Sequence, residues 1–187
     1  MRYLCGVIVA LFVWLMAGCS ATEEKSQMMP EKEKAKAMMD VAVDSLYEVH
    51  KDGRIYVFYD KSLYSDFIKT GHTAYMFTRI GAGPNGESMV FALTGEDKKK
   101  RSGIPSVEMV DGLKSPKVFY GETYDEGRLY VFSDYQMMEN YRKMREATYR
   151  YTDIGAGPNG ESVVYVLSKS ESKSKPEELI ALFKKMN

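Results

Sequence analysis

The sequence offers little cysteine, histidine or tryptophan. Its two cysteines, Cys5 and Cys19, fall in the first twenty residues, and so does its single tryptophan, Trp14. The rest of the chain therefore has no disulfide, thiol nucleophile or thiolate metal site. His50 and His72 are the only histidines, and nothing near either one makes metal-ligand spacing, so no metal and no cofactor are expected. Neither sign of charge prevails: 26 Lys and Arg balance 26 Asp and Glu. Nothing basic in the overall balance thus favours nucleic acid. Long apolar runs are missing after residue 17. What remains is globular in kind, with 44% hydrophobic and 12% aromatic residues in 187. That length suits one ordinary domain or two small ones.

One stretch is used twice. Gly81-Ala82-Gly83-Pro84-Asn85-Gly86-Glu87-Ser88 recurs unchanged from Gly155 to Ser162, an offset of 155 − 81 = 74 residues. At the same offset Gly53-Arg54-Ile55-Tyr56-Val57-Phe58 becomes Gly127-Arg128-Leu129-Tyr130-Val131-Phe132. An internal repeat sets the architecture before any element is assigned. It implies two ββαββ modules, residues 45–95 and 118–168, joined by a linker at 96–116.

Within the first module, strands are expected at 46–50 and 54–59 around a Lys51-Asp52-Gly53 turn, since Asp-Gly supplies the positive φ of a tight hairpin. Asp60 is placed as a helix N-cap and Gly71 as the stop, with Leu63, Tyr64, Phe67 and Ile68 at helical spacing. Strands at 75–80 and 89–93 flank the glycine loop. In the second module Asp134 is the cap, and Met137, Met138, Tyr141 and Met144 form the stripe. A last helix is expected over 176–186, with Leu179, Leu182, Phe183 and Met186 on one face and Glu and Lys placed to suit its dipole.

Strands two and four are apolar on both faces, which points to central positions. The expected fold is α+β: two antiparallel sheets of order 1-2-4-3, packed on each other about a pseudo-twofold axis. In that order strand four begins where strand two ends. Glu87 then lies near Asp60 and the helix N-terminus, with Arg54 at the far end of the sheet.

Gly81 to Gly86 and Gly155 to Gly160 match the dinucleotide fingerprint G-x-G-x-x-G. That fingerprint needs a helix after the glycines to meet the pyrophosphate. Here Met89-Val90-Phe91 and Val163-Val164-Tyr165 follow, which are strand formers, so no nucleotide is expected. The motif reads as a hairpin loop with Asn-Gly turns. Turn geometry leaves the repeated glutamate unexplained, so Asn85, Glu87, Asn159 and Glu161 are the candidate binding residues. Tyrosines that recur at the offset, Tyr56 with Tyr130 and Tyr75 with Tyr149, are expected in the core. No catalytic residue is assigned; His50 and His72 have the counterparts Tyr124 and Glu146, and no G-x-S-x-G elbow is present.

At the N-terminus, Arg2 precedes an almost wholly apolar stretch, Tyr3 to Met16, closed by Ala17-Gly18-Cys19. The stretch is too short to span a bilayer comfortably. The run Leu15-Met16-Ala17-Gly18-Cys19 resembles a bacterial lipoprotein signal. The resemblance implies a signal peptide over 1–18, a Cys19 that carries palmitate-type acyl chains, and anchorage in the cell envelope. Ser20 after the cysteine favours the outer membrane, with the body facing the periplasm. Residues 19–40, charged and poor in large apolar groups, read as a tether. The repeated module itself resembles only domains without an assigned activity. The function expected is a membrane-anchored, non-catalytic envelope lipoprotein whose module binds an envelope protein or a cell-wall component such as peptidoglycan. The alternative is a periplasmic hydrolase acting on envelope polymers through His50 or His72.

Overall fold

The computed structural model describes residues 43–187. The expected signal, Cys19 and the tether over 19–40 lie outside the described residues. Among the described residues no helix is long and apolar enough to cross a membrane.

Two hairpins start the two halves. β1 (Asp44–Lys51) turns into β2 (Arg54–Phe58), and β5 (Phe119–Asp125) into β6 (Arg128–Phe132). Both turns place two residues at positive φ, Asp52 with Gly53 and Glu126 with Gly127. That geometry matches the twist of the flanking strands. A helix follows each hairpin: α1 (Lys61–Thr70) in the first half and α3 (Tyr135–Met144) in the second. Asp60 Oδ1 accepts from the Leu63 N–H at 2.9 Å, and Asp134 Oδ1 from the Met137 N–H at 3.0 Å. Both expected caps are therefore in place. Gly71 ends α1 in the left-handed region, whereas Arg145, with a side chain, does so for α3. In α3 the buried residues are Met138, Tyr141 and Arg142; Met144, expected in the stripe, is exposed.

Each half closes with a hairpin: β3 (Met76–Arg79) with β4 (Ser88–Ala92), and β7 (Arg150–Asp153) with β8 (Ser162–Val166). The linker contains α2 (Pro105–Val110), whose Met109 is fully buried. α4 (Glu177–Met186) is the expected last helix, burying Leu179, Ile180 and Phe183.

The architecture is α+β, as expected, but the sheet arrangement is corrected. One sheet of eight strands runs β3-β4-β2-β1-β5-β6-β8-β7, in place of two facing sheets. It is mixed and not antiparallel: β2 runs parallel to β4, β6 to β8, and β1 to β5. β1 and β5, expected at edges, are the central pair, and β3 and β7 are the edges.

The physical reason lies in how apolar faces are covered. Two-faced apolar strands need cover on both sides, and helices supply it here. α1 and α4 pack on one face, with Tyr47, Val49, Leu129, Val131 and Tyr165 beneath them. α2 and α3 pack on the other, over Leu46, Ile55, Val57, Phe91 and Phe132. Parallel pairing of β1 with β5 relates the halves by rotation about the strand direction, so α1 and α3 fall on opposite faces.

Because β4 runs parallel to β2, Ser88 pairs with Arg54 and β4 begins where β2 begins. The expected site of Glu87, beside Asp60 and a helix N-terminus, is therefore corrected. Glu87 lies at the other end of the sheet, among helix C-termini. The tyrosine expectation splits. Tyr56 and Tyr130 pack on the helices, with centroids 4.5 Å from Phe67 and 4.3 Å from Tyr141. Tyr75 and Tyr149 are exposed and do not belong to the core.

Candidate functional site

Two carboxylates sit at the centre of the sheet, one on each face. Glu48 in β1 and Glu122 in β5 stand 74 residues apart, so they occupy equivalent places in the two halves. Both are essentially fully buried. A buried carboxylate must be paired and hydrogen-bonded, and the two faces meet that demand differently.

On the α3 face the partners are cations. Arg142 donates through Nε to Glu48 Oε1 at 2.8 Å, and its Nη2 is 2.6 Å from the same oxygen. His50 Nε2 is 3.1 Å from Glu48 Oε2, and its Nδ1 is 3.5 Å from Asp125 Oδ2. Arg145 meets His50 Nδ1 and donates to Asp125 Oδ2 and to Glu87 Oε1, both at 3.0 Å. Burial works to raise the Glu48 carboxyl, but Arg142 and then His50 outweigh it and hold it at about 2. For His50, burial works to lower the imidazole, and Asp125 and Glu48 outweigh it, leaving it above its ordinary value. The side chain of His50 is 2% exposed.

On the α1 face the partners are mostly neutral. Tyr64 Oη donates to Glu122 Oε1 and Tyr120 Oη to Oε2, each at 2.7 Å. Asn187 Nδ2 donates to Oε2 at 3.2 Å, and the Lys61 ammonium is 3.9 Å from it. Burial, reinforced by the charge of Glu122, pushes both phenols well up, so they stay protonated donors. Beside this cluster a cleft of about 200 Å³ opens between α1 and the second glycine loop. Lys61, Tyr64, Lys69, Glu122, Asn159 and Glu161 are among its lining residues.

The glycine loops explain their own glutamates. Asn85 donates to Glu87 from its backbone N–H at 2.9 Å and from Nδ2 at 3.3 Å. Asn159 donates to Glu161 in the same two ways, at 2.8 and 2.9 Å. The carboxylate folds back over the loop so closely that a Cβ on Gly83 would come 2.7 Å from Glu87 Oε2, and one on Gly157 2.5 Å from Glu161 Oε2. Glycine, asparagine and glutamate thus form one hydrogen-bonded unit, which accounts for their joint recurrence. Burial works to raise Glu87, but its own backbone amide, Arg145 and Asn85 together hold it at about 2.

The four candidate binding residues therefore separate into two pairs. Asn85 and Glu87 are occupied from within the chain: Asn85 Nδ2 reaches the Lys143 carbonyl oxygen at 3.3 Å, and Arg145 holds Glu87. Asn159 and Glu161 line the open cleft. His50 belongs to the buried cation network; His72 is exposed beyond α1. Among the described residues no cluster of His, Cys, Asp or Glu could hold a metal ion.

Sequence reasoning missed Glu48, Glu122, Arg142, Arg145 and Tyr64 as a set. One signal was present: a glutamate recurs at the offset in the middle of an otherwise apolar strand, Leu46-Tyr47-Glu48-Val49. The arginines carry no such mark, since their counterparts are Ile68 and Gly71. Compared with known proteins, the chain matches no family model, no curated protein and no solved structure.

Proposed function

We propose that the protein is a non-catalytic lipoprotein of the bacterial envelope. In this reading Cys19 anchors it by acyl chains to the outer membrane, facing the periplasm. The body binds an envelope protein or a cell-wall component in the cleft between α1 and the second glycine loop. The observation that carries the reading is the cleft itself: a concave opening with a few convergent polar groups is the default binding site. Asn159 and Glu161, singled out from the repeat, line it.

The hydrolase alternative is less favoured by the geometry. A general base must reach the proton it removes, and His50 is buried with both ring nitrogens engaged by Glu48, Asp125 and Arg145. Two measurements test the proposal. Mass spectrometry of the membrane fraction is expected to find an acylated Cys19, and Cys19→Ala to release the protein or stall its processing. A photo-crosslinking amino acid in place of Lys69, at the cleft, is expected to capture a defined envelope component. Capture equal to that from a probe at the exposed Lys117 would refute the site.

A further inference from the structure

We infer that the cleft is a receptor for a guanidinium group, and so for an arginine-type side chain of a binding partner; this rests on the proposed role of the cleft. The argument comes from the molecule's own second copy of the site. At the 74-residue offset Glu161 corresponds to Glu87 and Asn159 to Asn85, with the same loop hydrogen bonds. Glu87 receives a third contact, the guanidinium of Arg145, at 3.0 Å. The residue equivalent to Arg145 is Gly71, which also ends its helix in the left-handed region, at φ 70° against 57°. Where one face has an arginine side chain, the other has no side chain at all. The open cleft lies on that second face, and Glu161 lines it.

The space beside Gly71 is real, and Glu161 gives the cleft a carboxylate. A Cβ on Gly71 would meet only Lys51 Nζ, at the ordinary distance of 3.7 Å. Asn159 holds Glu161 in the ionised form against the opposing effect of burial, and among the described residues no guanidinium reaches it. The two faces are not identical in charge. Asp125, the second carboxylate under Arg145, has Lys51 as its counterpart, and Lys61 and Lys69 also line the cleft. Lys61 is engaged by Asn187 Oδ1 at 2.6 Å. The lysines limit affinity and disfavour a ligand of high positive charge. They leave room for one guanidinium, met by Glu161 through a charge-assisted contact like the one Arg145 makes to Glu87.

The test uses the full-length protein in detergent. N-acetyl-arginine amide stands for a peptide arginine, agmatine for a free small molecule, and N-acetyl-citrulline amide is the neutral control. Titration followed by calorimetry is expected to show saturable binding of N-acetyl-arginine amide, with Kd on the order of 1 mM. The citrulline control should not bind, and Glu161→Gln should weaken binding about tenfold or more. Agmatine binding as tightly would assign the site to free guanidinium compounds, whereas a preference for the amide assigns it to a protein side chain; both keep the guanidinium. Two variants exchange the faces. Gly71→Arg should abolish binding by filling the cleft from within, and Arg145→Gly should open a second site and raise the stoichiometry towards two. No binding by wild type, or equal binding of the citrulline control, overturns the inference. If the crosslinker at Lys69 still captures a partner while N-acetyl-arginine amide does not bind, the guanidinium assignment fails and the cleft as a site survives. Failure of both removes the site as well.

Discussion

Single residues decide the two faces of this protein. Glu48 and Glu122 share a position, yet one is paired with Arg142 and His50 and the other accepts hydrogen bonds from tyrosine hydroxyls. Breaking a buried ion pair leaves a charge without a partner, which costs about 3–5 kcal/mol, whereas replacing both members by apolar groups is often neutral. Glu48→Gln is therefore expected to destabilise by that amount, and Glu48→Leu with Arg142→Met to recover most of it, as read by chemical denaturation. The pH dependence follows from the same groups. Glu48 and Glu87 lie at about 2, below the ordinary 4.5. Their contribution is present above pH 4.5 and is lost as pH falls towards 2. For the fully buried Glu48 this is about 3 kcal/mol. His50 is raised above 6.5. Its contribution is complete below that value and is lost as pH rises through its folded value. Thermal unfolding across pH should show stability falling at both ends. His50→Gln should flatten the alkaline limb; an alkaline limb of unchanged steepness would contradict the assignment.

At the scale of elements, the caps and the glycine loops carry the testable energetics. Asp60→Ala and Asp134→Ala each remove a side-chain acceptor from a helix N-terminus, and each should cost about 1 kcal/mol. In the loops, Gly83→Ala and Gly157→Ala drive a methyl group into the glutamate and its backbone oxygen. Overpacking of this kind costs about 1–3 kcal/mol. Gly95→Ala, with nothing within 4 Å of the new Cβ, is the matched control and should be near neutral. If all three alanine variants melt together, the loop is looser than its hydrogen bonds indicate. Arg145 adds a second kind of cost: a side chain at φ 57° is strained by about 1 kcal/mol, and its bonds to Glu87 and Asp125 offset it.

At the scale of the whole molecule, the parallel pairing of β1 with β5 makes one sheet from two halves. Each half leaves a central strand edge and a buried carboxylate that the other must complete. Glu48 is held by Arg142 from the second half, and Glu122 by Tyr64 from the first. Residues 45–95 alone should therefore not fold cooperatively as a monomer, since about 50 residues also bury too little surface to offset chain entropy. A sharp, concentration-independent melt of that fragment would show the halves to be independent. Circular dichroism across a dilution series would detect it.

The local elements were legible in the sequence because their signals are local. Asp60 and Asp134 before helical stripes, Asp-Gly in a hairpin, and strand formers after the glycines each act over a few residues. The repeat also placed Asn159 and Glu161, which line the cleft, but it gave Asn85 and Glu87 equal standing. Only the tertiary structure separated them, because the difference lies in Arg145 against Gly71, and Arg145 reaches Glu87 from 58 residues away in the chain. Strand direction was likewise beyond the sequence. Apolar residues on both faces of β2 and β4 require cover but do not say whether a sheet or helices provide it. The β1–β5 pairing, a contact between strands some 70 residues apart, decided that, and with it brought Arg142 of the second half onto Glu48 of the first.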